Sequence, residues 1–395
     1  MADDGIHFPE TTPINHTGDR GTHPGAARTR SIACLSVAPW NPYLRLLYGH
    51  LAAQGFAVAE DPRFSLRWLW GARSSVGFLH FHWPESLYRY ARGPTRLRPL
   101  LSRAKLALFA ARLAAARLLG YRIVWTIHQL FPHESVDRGL ERRGARLLGR
   151  ASDLLIAHDQ WTAAQARSEF PIRRGEIAVV PHGSYIGAYP EGRPRSEVRN
   201  ELGLPQDSFV FLCFGELRAY KEVELLLAAF SSMPFPEARL VVAGNAKVPN
   251  VGFAVRAASE KDSRILTLLG FVPEEQIDEL FRACDAAVLP RGEAGTSGSL
   301  ILALSMGLPV VAADVPTTRE LTVDGEAGWL FRPHHLSSLQ AALGDACADP
   351  EEARTRGLRA FEIAKKLQWK RITQDLATLL DRVSGEQRFR SAPSE

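Results

Sequence analysis

The chain is predicted to be an α/β protein built from two doubly wound halves that face each other across a cleft. Short apolar stretches alternate with helical patterns in two successive rounds, which is typical of parallel sheets covered by helices on both faces. The chain has 395 residues, more than one ordinary hydrophobic core holds, so two domains are expected. Its hydrophobic share of 46% is that of a globular protein and excludes a wholly disordered chain.

The first half is predicted to occupy residues 31–190. It follows a tail, residues 1–30, that is rich in Gly, Pro, Thr and charge and that we expect to be disordered. The tail has no apolar run that could act as a signal peptide or anchor. Helical stretches rich in Ala, Leu and Arg separate the strands of this half. The strands are predicted at residues 32–37, 76–81, 122–127, 154–157 and 177–180.

The second half is predicted to occupy residues 191–366 and to begin with a Gly-Arg-Pro linker at 192–194. Its first strand is predicted at 209–214, and further strand and helix patterns follow. A last helix is predicted over residues 367–383, ahead of a short tail, 384–395. Both halves therefore contain the repeated strand and helix units that a doubly wound sheet requires.

Two segments that follow strands of the second half carry the residue types that a diphosphate requires. The first, FGELRAYK at 214–221, supplies Arg218 with its planar fork of donors and Lys221 with a mobile point charge. The second, EAGTSGS at 293–299, opens an apolar helix whose free amides and dipole favour an anion. Its candidate anion-binding residues are Thr296, Ser297, Gly298 and Ser299. Both segments fall at strand ends, where open α/β sheets hold ligands.

Further stretches, in a fixed order along the chain, resemble the GT-B glycosyltransferases of the family 4 type. They are VVAGN at 241–245, LGFV at 269–272, LALSMGLPVV at 302–311 and DGEAGWL at 324–330. The resemblance covers about residues 30–383. It implies two Rossmann-like domains, the first binding the acceptor and the second the nucleotide sugar, with the last helix crossing back to the first domain. It also places Gly244, Phe271 and Val272 beside the nucleotide.

The segment before the apolar helix departs from the family. Many relatives carry two glutamates eight residues apart, whereas the matching positions here are Ala294 and Leu302. Neither side chain can accept a hydrogen bond from a sugar or ribose hydroxyl. We take Glu293 as the candidate substitute for the first carboxylate, and Glu320 or backbone groups as the candidates for ribose recognition. Retention and inversion of configuration both stay open.

Histidines close several predicted strands of the first half. His128 follows a strand at the edge where a ligand crevice belongs and matches a family histidine that faces the donor sugar, so we predict that it is catalytic. Glu134, in the following loop, is the candidate general base of an inverting mechanism. His80 and His82 lie on one face of their strand, and with no third ligand we predict contacts with the acceptor and no protein-bound metal.

The formal charge of +5 is unevenly distributed. No acidic residue lies between Glu85 and Glu134, and nine basic residues fall among apolar ones at 89–122. Such a surface suits an anionic bilayer, so we expect a peripheral contact with the inner face of the cell membrane, the alternative being a solvated basic helix. Zinc-finger and aromatic-basic patterns are missing, so no nucleic acid is expected. With no apolar run of about twenty residues, we expect a cytoplasmic protein.

The resemblance therefore implies a glycosyltransferase that moves a hexosyl group from GDP-mannose or a UDP-hexose to a glycan or lipid-linked glycan in cell-surface polysaccharide or glycoconjugate synthesis. The nucleotide-diphosphate sugar is the donor substrate, and no tightly bound cofactor is expected. Two alternatives stay open. A sugar-nucleotide epimerase can have the same fold and would release an altered sugar without an acceptor. A basic nucleic-acid- or membrane-binding protein would have no catalytic activity.

Overall fold

The structure, a computed structural model, describes residues 28–36, 38, 41–90, 96–131, 137–170, 172 and 175–385. Most of the tail that we expect to be disordered lies outside these residues, as does the candidate base Glu134. The last three tail residues, Arg28–Arg30, form a short 3₁₀ turn.

The first half contains one sheet of six parallel strands in the order β2-β1-β3-β4-β5-β6. The strands are β1 (Ser31–Leu35), β2 (Ala57–Val58), β3 (Phe78–His82), β4 (Arg122–Ile127), β5 (Leu154–Ala157) and β6 (Glu176–Val179). The helices are α1 (Pro42–Ala52), α2 (Leu66–Ala72), α3 (Glu85–Tyr88), α4 (Arg98–Leu118), α5 (Arg138–Ala151) and α6 (Gln160–Glu169). The strand order reverses between β1 and β3, where an open sheet forms a ligand crevice.

The second half contains a second parallel sheet in the order β12-β11-β10-β7-β8-β9. Its strands are β7 (Val210–Phe214), β8 (Arg239–Gly244), β9 (Ile265–Leu269), β10 (Ala286–Leu289), β11 (Val310–Ala313) and β12 (Gly328–Phe331). Its helices are α7 (Arg195–Glu201), α8 (Val223–Ser231), α9 (Pro249–Lys261), α10 (Glu274–Arg282), α11 (Gly298–Ser305), α12 (Pro316–Thr322), α13 (Leu336–Ala348) and α14 (Pro350–Lys366). Here the order reverses between β7 and β10.

The strands read as nearly continuous apolar runs because helices cover both faces of each sheet. In β7, Phe211 faces one hydrophobic core and its neighbour Leu212 faces a second core on the other side of the sheet. In the first half, Leu79 and Phe78 of β3 divide in the same way between two cores. Each half therefore has the layered helix–sheet–helix packing of a doubly wound domain, as predicted.

The last helix, α15 (Trp369–Ser384), leaves the second half and packs on α1 of the first. Its Trp369 and Leu376 are buried in the same core as Tyr43. The indole Nε1 of Trp369 donates a hydrogen bond to the carbonyl of Ser184 at 2.7 Å. The predicted crossing of this helix back to the first domain is thus confirmed. Within the described residues, no helix is both long and apolar enough to cross a bilayer.

Candidate active site

A cavity of about 160 Å³ lies where β7 and β10 diverge. Lys221, at the end of the 3₁₀ turn Ala219–Lys221, and Arg291, two residues after β10, line it. Among the described residues, neither cation forms an ion pair with a carboxylate. Burial lowers the pKa of both side chains below their usual values. Two unpaired cations in one partly buried cavity create a strong preference for an anion.

Gly215 makes room for this arrangement. Its φ of +115° is one that residues with a side chain rarely adopt. A Cβ there would lie 3.1 Å from Nζ of Lys221 and 3.2 Å from Oγ of Ser299. A side chain at this position would therefore crowd the two groups that face the cavity.

The start of α11 forms the opposite wall of the cavity. Ser297 caps this helix, its Oγ accepting a hydrogen bond from the amide of Leu300 at 3.3 Å. Gly298 and Ser299 line the cavity and lie in the first turn, where backbone amides have no partner within the helix. The helix dipole adds partial positive charge at the same place. The predicted segment thus lies against the cavity together with Lys221.

Arg218 is placed differently from Lys221. Its Nε donates a hydrogen bond to the carboxylate of Glu216 at 3.0 Å, and its side chain does not line the cavity. Gly244 also lies away from the cavity wall. With a φ of +133°, it brings the end of β8 so close to β7 that a Cβ would lie 2.0 Å from the carbonyl oxygen of Gly215. This glycine allows the close approach of two strand ends.

The remaining predicted nucleotide-binding residues do not line this cavity. Phe271, just after β9, is an aromatic side chain with 82% of its surface exposed, and Val272 packs against the core beside it. Glu293 is exposed near Arg291. The carboxylate of Glu320 accepts hydrogen bonds from the backbone amide of Gln160 in the first half, at 3.1 and 3.3 Å.

A second cavity of about 200 Å³ adjoins the first and extends into the first half. Tyr220, Arg291 and Thr296 line both cavities. His128 and Trp83 line the part contributed by the first half. The two cavities together therefore form one cleft with a cationic end and an aromatic, histidine-lined end.

His128 is held at the wall of this cleft by stacking and hydrogen bonding. The ring of Trp83 stacks on it at 4.0 Å with an angle of 13° between the planes. Nε2 of His128 shares a hydrogen bond with Nδ1 of His82 at 3.0 Å. Burial lowers the pKa of His128 well below its usual value, so its imidazole is neutral at pH 7. A neutral imidazole beside a cleft can accept a proton.

Trp83 has a φ of +46°, which is uncommon for a residue with a large side chain. Backbone strain of this kind persists where the surrounding structure holds it and is concentrated at functional sites. The indole face of Trp83 is thereby presented beside His128.

His80 and His82 lie beneath His128 and are fully buried. The hydroxyl of Tyr48 hydrogen-bonds both rings, at 2.9 Å to His80 and 3.0 Å to His82. The prediction that these two histidines contact the acceptor is therefore wrong for this structure, because neither ring reaches the cleft surface. The sequence pattern placed both rings on one strand face but gave no information on what covers that face. Among the described residues, no group of His, Cys, Asp or Glu side chains is arranged to hold a metal ion.

Asp159 connects the two halves at the cleft. One carboxylate oxygen caps α6 by accepting a hydrogen bond from the amide of Thr162 at 2.6 Å. The other accepts from the hydroxyl of Thr296 at 2.9 Å. Thr296 therefore bonds the first half in this structure, although its position at the cavity was predicted as a ligand contact.

Sequence reasoning missed Arg291, Tyr220 and Trp83 as cleft residues. All three follow a strand end, so the rule that selected Lys221 and His128 also applies to them. Arg291 carried a second signal, because it is a cation only two residues after an apolar strand.

Two family profiles match the chain. The family described as Glycosyltransferase Family 4 matches residues 43–184, and the family described as Glycosyl transferases group 1 matches residues 194–362. A GDP-mannose:glycolipid 4-beta-D-mannosyltransferase of Xanthomonas campestris pv. campestris is 32% identical over 335 residues, covering 85% of this chain and 86% of that protein. A D-inositol 3-phosphate glycosyltransferase of Streptomyces avermitilis is 29% identical, covering 57% of this chain and 52% of that protein.

Solved structures share the fold. Sucrose-phosphate synthase of Thermosynechococcus elongatus superimposes with a TM-score of 0.67 at 19% identity, covering 92% of this chain and all of that one. HepE of Anabaena, in complex with UDP-glucose, gives a TM-score of 0.69 at 19% identity over 89% of this chain and 99% of that one. The fold, the motifs and the mannosyltransferase relative all indicate the same family. The chain therefore belongs to the GT-B glycosyltransferases of the family 4 type and is an enzyme that uses a nucleotide sugar.

Proposed function

We propose that the protein transfers mannose from GDP-mannose to a glycolipid acceptor. The observation that carries this proposal is the pair of half-buried cations, Lys221 and Arg291, that face one cavity without a carboxylate partner among the described residues. A diphosphate fits this charge. GDP-mannose is chosen over a UDP-hexose because the mannosyltransferase relative is 32% identical over most of both chains.

The diphosphate lies between Lys221, Arg291 and the first turn of α11 in this proposal. Ser297, Gly298 and Ser299 present hydroxyls and backbone amides to it. Arg218 begins the same turn as Lys221 and reaches a phosphate once it leaves Glu216.

The base and ribose occupy the outer end of the cavity in this proposal. The exposed ring of Phe271 stacks on the base, with Val272 beneath it. Gly244, which has no side chain, allows the ends of β7 and β8 to lie close together beside it. Glu293 and Glu320 are the carboxylates available to ribose or sugar hydroxyls. Glu320 takes this role only after releasing the amide of Gln160.

The acceptor enters the histidine-lined end of the cleft and stacks on Trp83 in this proposal. A β-mannoside made from α-linked GDP-mannose requires inversion, and so one base to take the proton of the attacking hydroxyl. We assign that base to His128, which lines the cleft and is neutral. Glu134 is the second candidate and lies outside the described residues.

A transfer assay tests this function. Purified protein is incubated with radiolabelled GDP-mannose and a glycolipid extract, and the product is analysed by chromatography and for the configuration of its new linkage. The proposal predicts label in the lipid fraction with a β linkage. Transfer from a UDP-hexose alone would overturn the choice of donor, and release of an altered free sugar without acceptor would indicate an epimerase.

We further propose that the enzyme meets its lipid-linked acceptor through the start of α4. This helix follows β3, so its first turns lie on the same side of the sheet as the cleft. All residues from 96 to 100 are exposed, including Leu97 and Leu100 with 51% and 65% of their surfaces accessible. The flanking arginines Arg96 and Arg103 are exposed as well. Apolar and cationic side chains in alternation suit an anionic bilayer.

Vesicle sedimentation tests this contact with a matched control on the same helix. Leu97→Ser combined with Leu100→Ser is expected to lower binding to phosphatidylglycerol vesicles roughly tenfold, because two apolar anchors are removed. Leu118→Ser removes a leucine that is 88% exposed at the far end of α4 and is expected to leave binding unchanged. Equal binding by the wild type and the double variant would contradict the contact.

A further inference from the structure

We propose that Tyr48 and His82 are positioning residues that fix the tautomer of His128, so that Nδ1 of His128 faces the reaction as a proton acceptor. The inference rests on the proposed function, in which His128 is the base of an inverting transfer. It is carried by a continuous chain of hydrogen bonds that begins at the cleft and ends inside the first half.

Four hydrogen bonds make up this chain. Nε2 of His128 bonds Nδ1 of His82 at 3.0 Å, and Nε2 of His82 bonds the hydroxyl of Tyr48 at 3.0 Å. The same hydroxyl bonds Nδ1 of His80 at 2.9 Å, and Nε2 of His80 bonds Oγ1 of Thr126 at 2.8 Å. The members behind His128 are all buried, so water does not compete for these bonds.

The donor and acceptor roles of neighbouring members of the chain depend on one another. A neutral imidazole has one donor and one acceptor nitrogen, and burial lowers the pKa of His80 to about 3, so its ring is neutral. The hydroxyl of Tyr48 has a single proton. It also bonds the Cys34 thiol, which we take as the donor in that contact, so that the hydroxyl donates to one of the two histidines and accepts from the other. Once the direction of one bond is set, every other bond in the chain follows.

Only one of the two directions makes His128 a base. In that direction Nε2 of His128 donates to His82, His82 donates to Tyr48, Tyr48 donates to His80, and His80 donates to Thr126. Nδ1 of His128 then carries a lone pair. It has no hydrogen-bond partner among the described residues, and His128 lines the cleft.

The transfer step balances with this arrangement. The acceptor oxygen forms a bond to C1 of mannose while the bond from C1 to the diphosphate oxygen breaks, and its electron pair stays on the diphosphate. The hydroxyl proton passes to Nδ1 of His128. The resulting imidazolium keeps its Nε2 proton in the bond to His82. The orienting bond is therefore present before and after transfer, as in other oriented histidine bases.

Nitrogen-detected NMR of labelled histidines tests the tautomer directly and does not depend on activity. The His128 signals are assigned by comparison with His128→Gln. We expect one tautomer in the wild type, with the proton on Nε2, and a mixture in Tyr48→Phe. A proton on Nδ1 in the wild type, or an unchanged tautomer in Tyr48→Phe, would overturn the inference. Absence of mannosyl transfer by the wild type would instead defeat the proposed function and leave this result standing on its own.

Kinetics provide the second readout. Tyr48→Phe is expected to lower kcat about 10- to 100-fold while the KM for GDP-mannose changes less than about twofold, because Tyr48 is buried and lines neither cavity. Tyr121→Phe is the matched control, since it removes a buried hydroxyl that donates to the carbonyl of Leu69 at 2.7 Å, away from the cleft. If Tyr48→Phe does not fold, Thr126→Val is expected to lower kcat and Thr126→Ser to restore it. Equal kcat in the two Thr126 variants would contradict the chain.

Discussion

Burial governs the protonation of the side chains that line the cleft. It lowers the pKa of Lys221 and Arg291 on one side and of His128 and His182 on the other. The consequences differ, because a guanidinium such as that of Arg291 keeps its charge at pH 7, whereas the imidazoles are neutral. In the proposed reaction, the cations would face the leaving diphosphate and the lone pair of His128 would face the incoming hydroxyl.

The buried histidines predict a loss of stability in acid. Burial lowers the pKa of His80 and of His182 from 6.5 to about 3. Between these pH values the unfolded chain binds protons that the folded protein does not, so stability falls as the pH drops below 6.5. Each of the two contributes about 2 kcal/mol to the difference between pH 8 and pH 5. Urea unfolding at the two pH values measures this difference.

His80→Gln is the matched variant for the acid effect. It removes one titrating ring and is expected to make the difference between pH 8 and pH 5 smaller than in the wild type. A wild-type free energy of unfolding that is the same at both pH values would contradict the account of neutral, buried histidines.

At the scale of elements, the chain passes between the halves next to the start of α15. Gly183 lies against the indole of Trp369, where an added Cβ would come within 2.2 Å of the ring. The neighbouring Ser184 donates its amide to the carbonyl of Leu367 at 2.8 Å. These contacts fix the last helix to the connection between the two sheets.

Gly183→Ala is therefore expected to displace Trp369 and to lower the free energy of unfolding by about 1–3 kcal/mol. Gly49→Ala is the control, because an added Cβ on α1 meets nothing within 4 Å. It is expected to stabilise the protein slightly by restricting the unfolded chain. Equal stability of Gly183→Ala and the wild type, measured by urea unfolding, would contradict the prediction that Trp369 is packed tightly against Gly183.

Strands that are buried on both faces could be predicted from the sequence. Predicted strands at 122–127 and 154–157 coincide with β4 and β5, because uninterrupted apolar runs are distinctive there. Strand β2 was missed, since a two-residue, exposed edge strand has no periodicity to detect. The partner of Arg218 could not be predicted either, because an ion pair with Glu216 depends on rotamers that spacing does not fix.

At the scale of the whole molecule, polar contacts join the two halves around the cleft. Thr296 bonds Asp159, and Glu320 bonds the amide of Gln160. An exposed ion pair between Arg45 and Glu274, at 2.8 Å, joins α1 to α10. These contacts hold the two walls of the cleft together, and in the proposed reaction a closed cleft would favour transfer over hydrolysis of the donor.

Calorimetric titration with GDP tests the central claim, that the cavity between β7 and β10 holds the donor diphosphate. Lys221→Ala is expected to weaken GDP binding about 10- to 100-fold, since a charge-assisted contact to phosphate is lost. Lys365→Ala removes an exposed lysine that pairs with Glu362 on α14 and is expected to bind GDP as the wild type does. Unchanged affinity in Lys221→Ala, with the wild type binding GDP normally, would place the diphosphate elsewhere and contradict this account of the site.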